Sequence, residues 1–172
     1  LFVNVFPSAM YDPEFQGAAL VALAEAHGLT PDRVVLEITE KSAIENYDLF
    51  AEALAELTRM GFAIAVDDVG AGYSGLEKIA HLNPGYLKFD RELIRNIDSS
   101  YIRREMTRAL KAFADRIGST IIAEGIEREA ELETLLDATP KERRTLLFSA
   151  TLPRGIVALA KRYQREAVRI AS

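Results

Sequence analysis

The sequence predicts an α/β fold in which a mostly parallel sheet, open or closed, carries its helices on the outside. Short apolar runs alternate along the chain with longer stretches whose hydrophobic residues recur at helical spacing. Most of the short runs are apolar almost throughout, as strands buried on both faces require. Repeated strand–helix units of this kind pack as parallel sheets because their connections are short and right-handed.

The individual elements follow from the same alternation. Strands are predicted at Phe2–Phe6, Val34–Thr39, Ala63–Asp67, Tyr86–Phe89, Thr120–Ala123, Thr145–Phe148 and Val168–Ile170. Amphipathic helices are predicted at Pro13–His27, Tyr47–Met60, Arg103–Arg116 and Gly155–Gln164. Gly28 and Gly61 follow the first two helices, at the position where a helix most readily ends on glycine.

Composition limits the class of protein. The 172 residues are 49% hydrophobic and 27% charged, a balance typical of a globular domain with its own core. The formal net charge of −5 gives no basic field for nucleic acid or an anionic membrane. No apolar run approaches the roughly 20 residues of a membrane helix. The absence of cysteine excludes disulfides and thiolate metal sites, and it fits a cytoplasmic protein.

Five successive strands carry a polar or ionisable residue in the strand or just after it. The residues are Asn4, Glu37, the adjacent pair Asp67 and Asp68, Lys88, and Glu124. Because the carboxyl ends of parallel strands open on one face, we expect these side chains to converge on one site. Carboxylate and amide oxygens are ligands that suit Mg²⁺ or Mn²⁺.

A structural alternative is that these residues are helix N-caps, since Asp and Asn often begin the helix that follows a strand. Five in succession, with an adjacent Asp pair and a lysine inside a strand, favour a functional site. An unpaired carboxylate in an apolar strand is costly, and either a cation or a buried lysine offsets that cost. For Lys88 alone, the alternative is an ordinary salt bridge with Asp67, Asp68 or Asp90.

The same residues lie in motifs that resemble those of EAL-type cyclic di-GMP phosphodiesterase domains, over residues 1–136. The motifs, with the family patterns that they resemble, are Leu1–Ser8 (LFVNVFPS; xxNxSP), Val34–Glu40 (VVLEITE; ExTE), Val66–Leu76 (VDDVGAGYSGL; DDFGTGYSSL), Leu87–Asp90 (LKFD; KxD) and Ile122–Glu127 (IAEGIE; AEGVE). Their order and spacing agree with the family across this whole segment.

The resemblance implies an incomplete TIM-like (β/α) barrel of the EAL type that binds two divalent cations, Mg²⁺ or Mn²⁺, and hydrolyses cyclic di-GMP to linear pGpG. By the resemblance, the metal ligands would be Asn4, Glu37, Asp67, Asp68 and Glu124, with Asp67 as the bridge. Lys88 would orient the attacking water, and Glu124 would act in its deprotonation. Glu40 and Asp90 would be supporting residues that hold either the loop after the Asp pair or the metal site itself. That loop, with Gly70, Gly72, Tyr73 and Ser74, would connect the metal site to a homodimer interface.

Two parts of the family pattern are not found. The Glu-Ala-Leu motif, and the Arg after it that holds the substrate phosphate, belong to a strand upstream of Leu1. The family's final strand, with its Gln, is not found near residue 145. We therefore expect the chain as given to bind metal weakly and to turn over little cyclic di-GMP.

Residues 137–172 resemble a different family, the DEAD-box RNA helicases, at the end of their first RecA-like domain. In Pro140–Ser172 the tripeptide Ser149, Ala150 and Thr151 corresponds to the helicase SAT motif. No G-x-x-x-x-G-K-[ST] loop is present, so we expect no ATP hydrolysis. The segment is rich in arginine and lysine, but this pattern is interpreted as a solvated helix face, so no nucleic-acid binding is expected. The βαβ fragment could complete the sheet in place of the last βα unit of the barrel.

Three functions remain open at this point. The first is a metal-dependent cyclic di-GMP phosphodiesterase domain, here truncated. The second is a non-catalytic module that binds cyclic di-GMP or acts as a scaffold. The third is an engineered or artefactual chimera with no function of its own. The intact set of site residues favours descent from an active enzyme.

Overall fold

The computed structural model describes residues 1–12, 15, 17–39, 47–70, 76–139, 158, 161 and 162. The chain divides into two compact units, residues 1–125 and residues 126–172. Two of the predicted strands, Thr145–Phe148 and Val168–Ile170, lie outside the described residues. So does most of the predicted helix Gly155–Gln164, of which Ala158, Lys161 and Arg162 are helical.

The first unit contains a five-stranded, fully parallel sheet, which confirms the predicted α/β class. The strands are β1 (Phe2–Asn4), β2 (Val35–Thr39), β3 (Ala63–Val69), β4 (Tyr86–Phe89) and β5 (Thr120–Ala123). Each strand pairs with the next one along the chain, in the order β1-β2-β3-β4-β5. Because parallel connections are right-handed, an order without reversal sends the connecting segments over the same face of the sheet.

The helices of the first unit are α1 (Gly17–Ala26), α2 (Tyr47–Arg59), α3 (Leu76–Leu82), α4 (Arg91–Ile94) and α5 (Tyr101–Ile117). Two 3₁₀ turns, Pro7–Tyr11 and Pro31–Arg33, precede α1 and β2. The second unit contains α6 (Glu129–Asp137). Among these helices, α3, α4 and α6 were not predicted.

Glycines end two of the predicted helices as expected. Gly28 follows α1 with φ of 71°, and Gly61 follows α2 with φ of 103°. Residues with a side chain rarely adopt this left-handed conformation, so glycine stops the helix at little cost.

The core of the first unit forms where α2 covers the sheet. Phe50, Leu54 and Leu57 lie on one side of α2 at helical spacing and are at most 3% exposed. They belong to the same buried cluster as Leu36 of β2 and Ile64 of β3. Burying such side chains stabilises a fold by about 1.5–3 kcal/mol each, so this layer fixes the strands whose ends carry the polar residues.

The sheet is strongly curved. The rings of Phe2 on β1 and Tyr86 on β4 are in edge contact, with centroids 5.7 Å apart. In a flat sheet β1 and β4 would lie about 14 Å apart, because neighbouring strands are about 4.8 Å apart. Val35 and Ala63 continue the register of Phe2 across β2 and β3, and Ala65 on the same face of β3 is the partner of Tyr86. The polar strand ends therefore lie on a concave face.

Thr107 of α5 provides a stability prediction. It is 7% exposed, and within the described part of the chain its hydroxyl has no hydrogen-bond partner. Thr107→Val keeps the shape and removes the unsatisfied group, so we expect the free energy of unfolding to rise by about 1 kcal/mol. Urea denaturation measures this change. The control is Thr58→Val on α2, where the hydroxyl donates to the Leu54 carbonyl at 2.9 Å; no gain is expected there. A Thr107→Val protein no more stable than wild type would contradict the prediction.

Candidate functional site

The register of β1, β2 and β3 places three of the predicted residues on one face of the sheet. Asn4 pairs with Glu37, and Glu37 pairs with Ala65. Partners in a parallel sheet point to the same face, and so do residues two apart on one strand. Asp67, two residues beyond Ala65, therefore shares the face of Asn4 and Glu37.

The register of the next two strands adds Lys88 and Glu124 to that face. Tyr86 is the β4 partner of Ala65, and Lys88 lies two residues beyond it. Lys88 pairs in turn with Ile122 of β5, and Glu124 lies two residues beyond Ile122. Five residues from five different strands, or from the residue after a strand, thus meet at the carboxyl end of the concave face.

Lys88 is the centre of this group. Its ammonium forms ion pairs with Glu37 Oε1 at 2.9 Å, with Asp67 Oδ2 at 2.9 Å and with Glu124 Oε1 at 3.0 Å. These distances hold any two of the three carboxylate oxygens within about 6 Å of each other. The Lys88 and Glu37 side chains are 9% and 8% exposed, whereas that of Glu124 is 44% exposed. We name Lys88, Glu37, Asp67 and Glu124 the Lys88 cluster.

The electrostatic environment of Lys88 favours its charged form. Burial acts to lower the pKa of Lys88, but hydrogen bonds to Asp67, Glu37 and Glu124 raise it. The resulting pKa lies well above the usual lysine value. An ammonium has three N–H donors, and three carboxylate oxygens lie within 3.0 Å of this one. The salt-bridge alternative therefore holds for Asp67, but as one of three pairs rather than as an isolated one.

A β-bulge explains why the site has two consecutive aspartates. Val66 pairs with Leu87 of β4, and Val69 pairs with Phe89. Only Lys88 lies between these two β4 partners. β3 therefore has two residues, Asp67 and Asp68, where β4 has one. Asp68 adopts a left-handed conformation with φ of 59°, and its N–H donates to Asp67 Oδ1 at 2.8 Å. Asp is among the few residues with side chains that tolerate this conformation.

The other predicted site residues are distributed as follows. Asp90 is the N-cap of α4, since its Oδ1 accepts the Glu92 N–H at 2.6 Å. Asp90, which was predicted as a supporting residue, therefore caps a helix. Gly70 follows β3 with φ of 98°. Outside the described residues lie Glu40, Gly72, Tyr73 and Ser74, and the helicase-like Ser149, Ala150 and Thr151.

One residue of the site region was missed by the sequence reasoning. Gly125, directly after Glu124, has φ of 67° and packs against Arg91 at the start of α4. The glycine within the AEGIE segment was the available signal. The contact with Arg91 could not be inferred, because α4 was not predicted.

The Lys88 cluster has the donor chemistry of a hard-cation site. All of its acceptors are carboxylate oxygens, and Asn4 adds an amide on the same face. Within the described ranges, however, no three Asp, Glu or His side chains are arranged as a metal site, and the three carboxylates point at the ammonium instead. Three carboxylates around one ammonium leave excess negative charge, so the residues fit a divalent cation after side-chain rearrangement.

The sequence was compared with protein families. A sequence model of the EAL domain matches residues 1–140, which is most of the 172-residue chain. The chain therefore belongs to the EAL domain family.

Individual relatives agree with this family. The chain is 31% identical over 130 residues to the cyclic di-GMP phosphodiesterase PdeR of Escherichia coli, a match that covers 76% of the chain. It is 27% identical over 158 residues to the blue light- and temperature-regulated antirepressor BluF of the same species, covering 92% of the chain. Klebsiella pneumoniae BlrP1, solved as a manganese and cyclic di-GMP complex, is 34% identical, with a TM-score of 0.75 over 80% of the chain.

These relatives are longer than the chain. It spans 19% of PdeR, 39% of BluF and 35% of the BlrP1 chain. Among the helices that the structure describes, none combines the length and apolarity that crossing a membrane requires.

Proposed function

We propose that this chain forms part of a metal-dependent phosphodiesterase domain that hydrolyses cyclic di-GMP to linear pGpG in the cytoplasm. The observation that carries the proposal is the Lys88 cluster, in which three acids from three strands surround one buried lysine at the carboxyl end of a parallel sheet. That end of such sheets is where active sites form. Membership of the EAL family, together with a relative named as a cyclic di-GMP phosphodiesterase, supplies the substrate class.

The site residues have two roles, and Glu124 contributes to both. Asn4, Glu37, Asp67, Asp68 and Glu124 would hold Mg²⁺ or Mn²⁺, two ions in the family pattern. Bound there, the cations would screen the phosphodiester charge from the carboxylates and stabilise the entering and leaving oxygens of the substitution. Without such screening, an anionic substrate would meet a cluster that already has excess negative charge.

Lys88 would hold and orient the attacking water, and Glu124 would take its proton. Glu124 suits that role because its side chain is 44% exposed, so it can reach both solvent and Lys88. The Lys88 ammonium is surrounded by three carboxylate oxygens at 2.9–3.0 Å. One carboxylate must therefore turn to another partner before the ammonium can donate to a water, and the more exposed Glu124 is the one that can move most easily.

We propose further that the sheet is part of a TIM-like barrel. Its sequential strand order and the contact between Phe2 and Tyr86 across two intervening strands support a sheet that curls in one direction. The proposed homodimer and the supporting roles of Glu40, Gly72, Tyr73 and Ser74 rest on the family resemblance. So does the assignment of residues 137–172 to a DEAD-box helicase-like fragment.

The test of the proposed function is cation binding measured by thermal unfolding. Mn²⁺ or Mg²⁺ is expected to raise the melting temperature, because a ligand that binds only the folded state stabilises it by mass action, about 2.7 kcal/mol at 100 times its Kd. Asp67→Asn removes one charge from the Lys88 cluster and is expected to abolish the shift. The matched control is Asp115→Asn, which changes an exposed aspartate paired with Lys111 on α5. An equal shift in all three proteins would place the cation elsewhere and contradict the proposal.

A second candidate function is a non-catalytic binding or scaffold module. The match to BluF, which is named as an antirepressor and covers 92% of the chain, favours it. The two candidate functions differ in whether pGpG is formed. Incubation with cyclic di-GMP and Mn²⁺, followed by chromatography, yields pGpG only if the domain is catalytic, whereas binding without pGpG indicates the module.

A further inference from the structure

The one-turn helix α4 lies close to the Lys88 cluster in sequence and is tightly fixed. It begins three residues after Lys88, and Asp90 caps it through the 2.6 Å hydrogen bond from the Glu92 N–H. Leu93 is 3% exposed and Ile94 is fully buried. A single helical turn has little intrinsic stability, so its neighbours must hold it in place.

The first neighbour is the segment that leaves β3 after the aspartate pair. The Asp90 N–H donates to the Val69 carbonyl at 3.1 Å. At Gly70, an added Cβ would lie 3.2 Å from Leu93 Cδ2 and 3.4 Å from Leu93 Cβ. Glycine therefore allows the chain after Asp67 and Asp68 to lie directly against α4.

The second neighbour is the segment that leaves β5 through Glu124. The Glu124 N–H donates to the Phe89 carbonyl at 3.2 Å. At Gly125, an added Cβ would lie 2.6 Å from both Cβ and Cγ of Arg91 and 3.2 Å from its Cα. Carbon atoms do not approach to 2.6 Å without displacement, and part of the opposing surface is backbone, which cannot rotate away.

We propose that α4 is a spacer between these two segments, and that Gly125 and Arg91 are positioning residues for the Lys88 cluster. The segments pressed against α4 carry Asp67 on one side and Glu124 on the other, and both acids contact Lys88. Pairing with β4 spaces the strands themselves, and α4 limits how closely the two segments can approach each other beyond the strand ends. A side chain at residue 125 would move Glu124 away from Lys88. The inference deepens the proposed function, because it assigns a role in that same site.

The experiment compares Gly125→Ala with Gly118→Ala. Gly118 has φ of 74°, close to the 67° of Gly125, but an added Cβ there would meet nothing within 4 Å. Both variants carry the backbone cost of a left-handed alanine, and only Gly125→Ala presses on α4. By calorimetric titration, Mn²⁺ affinity is expected to fall about tenfold or more in Gly125→Ala, as for other residues that position metal ligands. It is expected to stay unchanged in Gly118→Ala.

A third variant tests the contact itself. Arg91→Gly removes the two side-chain atoms nearest to residue 125, so the double variant Gly125→Ala/Arg91→Gly is expected to recover Mn²⁺ affinity to that of Arg91→Gly alone. If Gly125→Ala does not fold, recovery of the folded state in the double variant takes the place of the affinity measurement. Unchanged affinity in Gly125→Ala, or no recovery in the double variant, would overturn the inference.

The stability data separate this inference from the proposed function. If wild type binds no Mn²⁺, the proposed function fails, and the α4 contact is then judged from urea midpoints alone. If the double variant lowers the urea midpoint by less than the sum of the two single decreases, residues 91 and 125 are in contact. Additive effects of the two substitutions on the urea midpoint would contradict the proposal that α4 is a spacer.

Discussion

Lys88→Met is expected to lower the free energy of unfolding by about 3–5 kcal/mol at neutral pH in cation-free buffer, because removing one partner of a buried ion pair leaves uncompensated charge. The change leaves Glu37 and Asp67, with side chains 8% and 18% exposed, facing each other without the ammonium. Methionine keeps the apolar length of the lysine stem, so loss of packing contributes little. Urea denaturation measures the loss.

The matched control is Lys111→Met on α5. Lys111 pairs with Asp115, whose side chain is 60% exposed, and exposed pairs of this kind contribute about 0.5 kcal/mol or less. Mn²⁺ is expected to restore part of the stability lost in Lys88→Met, because the cation replaces the missing positive charge. A loss in Lys88→Met no larger than in Lys111→Met would show that the ammonium does not hold the cluster together.

The pH dependence of this difference has a defined sign. The pKa of Lys88 is raised above its ordinary value of 10.5, so the folded protein keeps a proton that the unfolded chain loses. The contribution is fully present below the unfolded pKa and declines as pH rises through the folded pKa. The stability difference between wild type and Lys88→Met is therefore expected to be constant from about pH 7 to 9 and to shrink above pH 10.5, the ordinary lysine value. A difference that grew with pH would contradict this sign.

Glu124→Gln is expected to lower the rate of hydrolysis strongly while changing the free energy of unfolding little. The Glu124 side chain is 44% exposed, so losing its ion pair with Lys88 is expected to cost about 1 kcal/mol or less. If Glu124 takes the proton of the attacking water, the residual hydrolysis of cyclic di-GMP expected of this chain falls by about 10²–10⁴-fold, the usual contribution of a positioned acid or base. The measurement is pGpG formation in Mn²⁺ by chromatography.

The control for Glu124→Gln is Glu105→Gln, which changes an exposed glutamate paired with Arg108 on α5. That variant is expected to keep the wild-type rate. Full hydrolytic activity in Glu124→Gln would remove Glu124 from the proposed chemistry, whatever its effect on stability.

Much of the sheet and the composition of the site could be predicted from the sequence. β4 and β5 have the predicted limits, and β2 begins one residue later than predicted, because apolar runs with few alternatives determine them. The convergence of Glu37, Asp67 and Glu124 follows from a general property of parallel strands, so motif position alone was sufficient to expect it.

Features that depend on tertiary packing could not be predicted. Helix α4 is a single turn that packs against Gly70 and Gly125, and its sequence has too few residues to show a helical period. The bulge at Asp67 and Asp68 depends on how β3 pairs with β4, which strand propensity does not determine. The approach of three carboxylates to Lys88 likewise depends on side-chain geometry rather than on spacing.

The most direct test of the proposed function is calorimetric titration of the chain with cyclic di-GMP, with and without Mn²⁺, in wild type and Asp67→Asn. Because excess carboxylate charge in the Lys88 cluster repels the phosphodiester, wild type is expected to bind cyclic di-GMP only when Mn²⁺ is present. Asp67→Asn is expected to bind it under neither condition. Equal binding with and without Mn²⁺, or binding in Asp67→Asn that matches wild type, would contradict a cation-dependent phosphodiester site at Lys88.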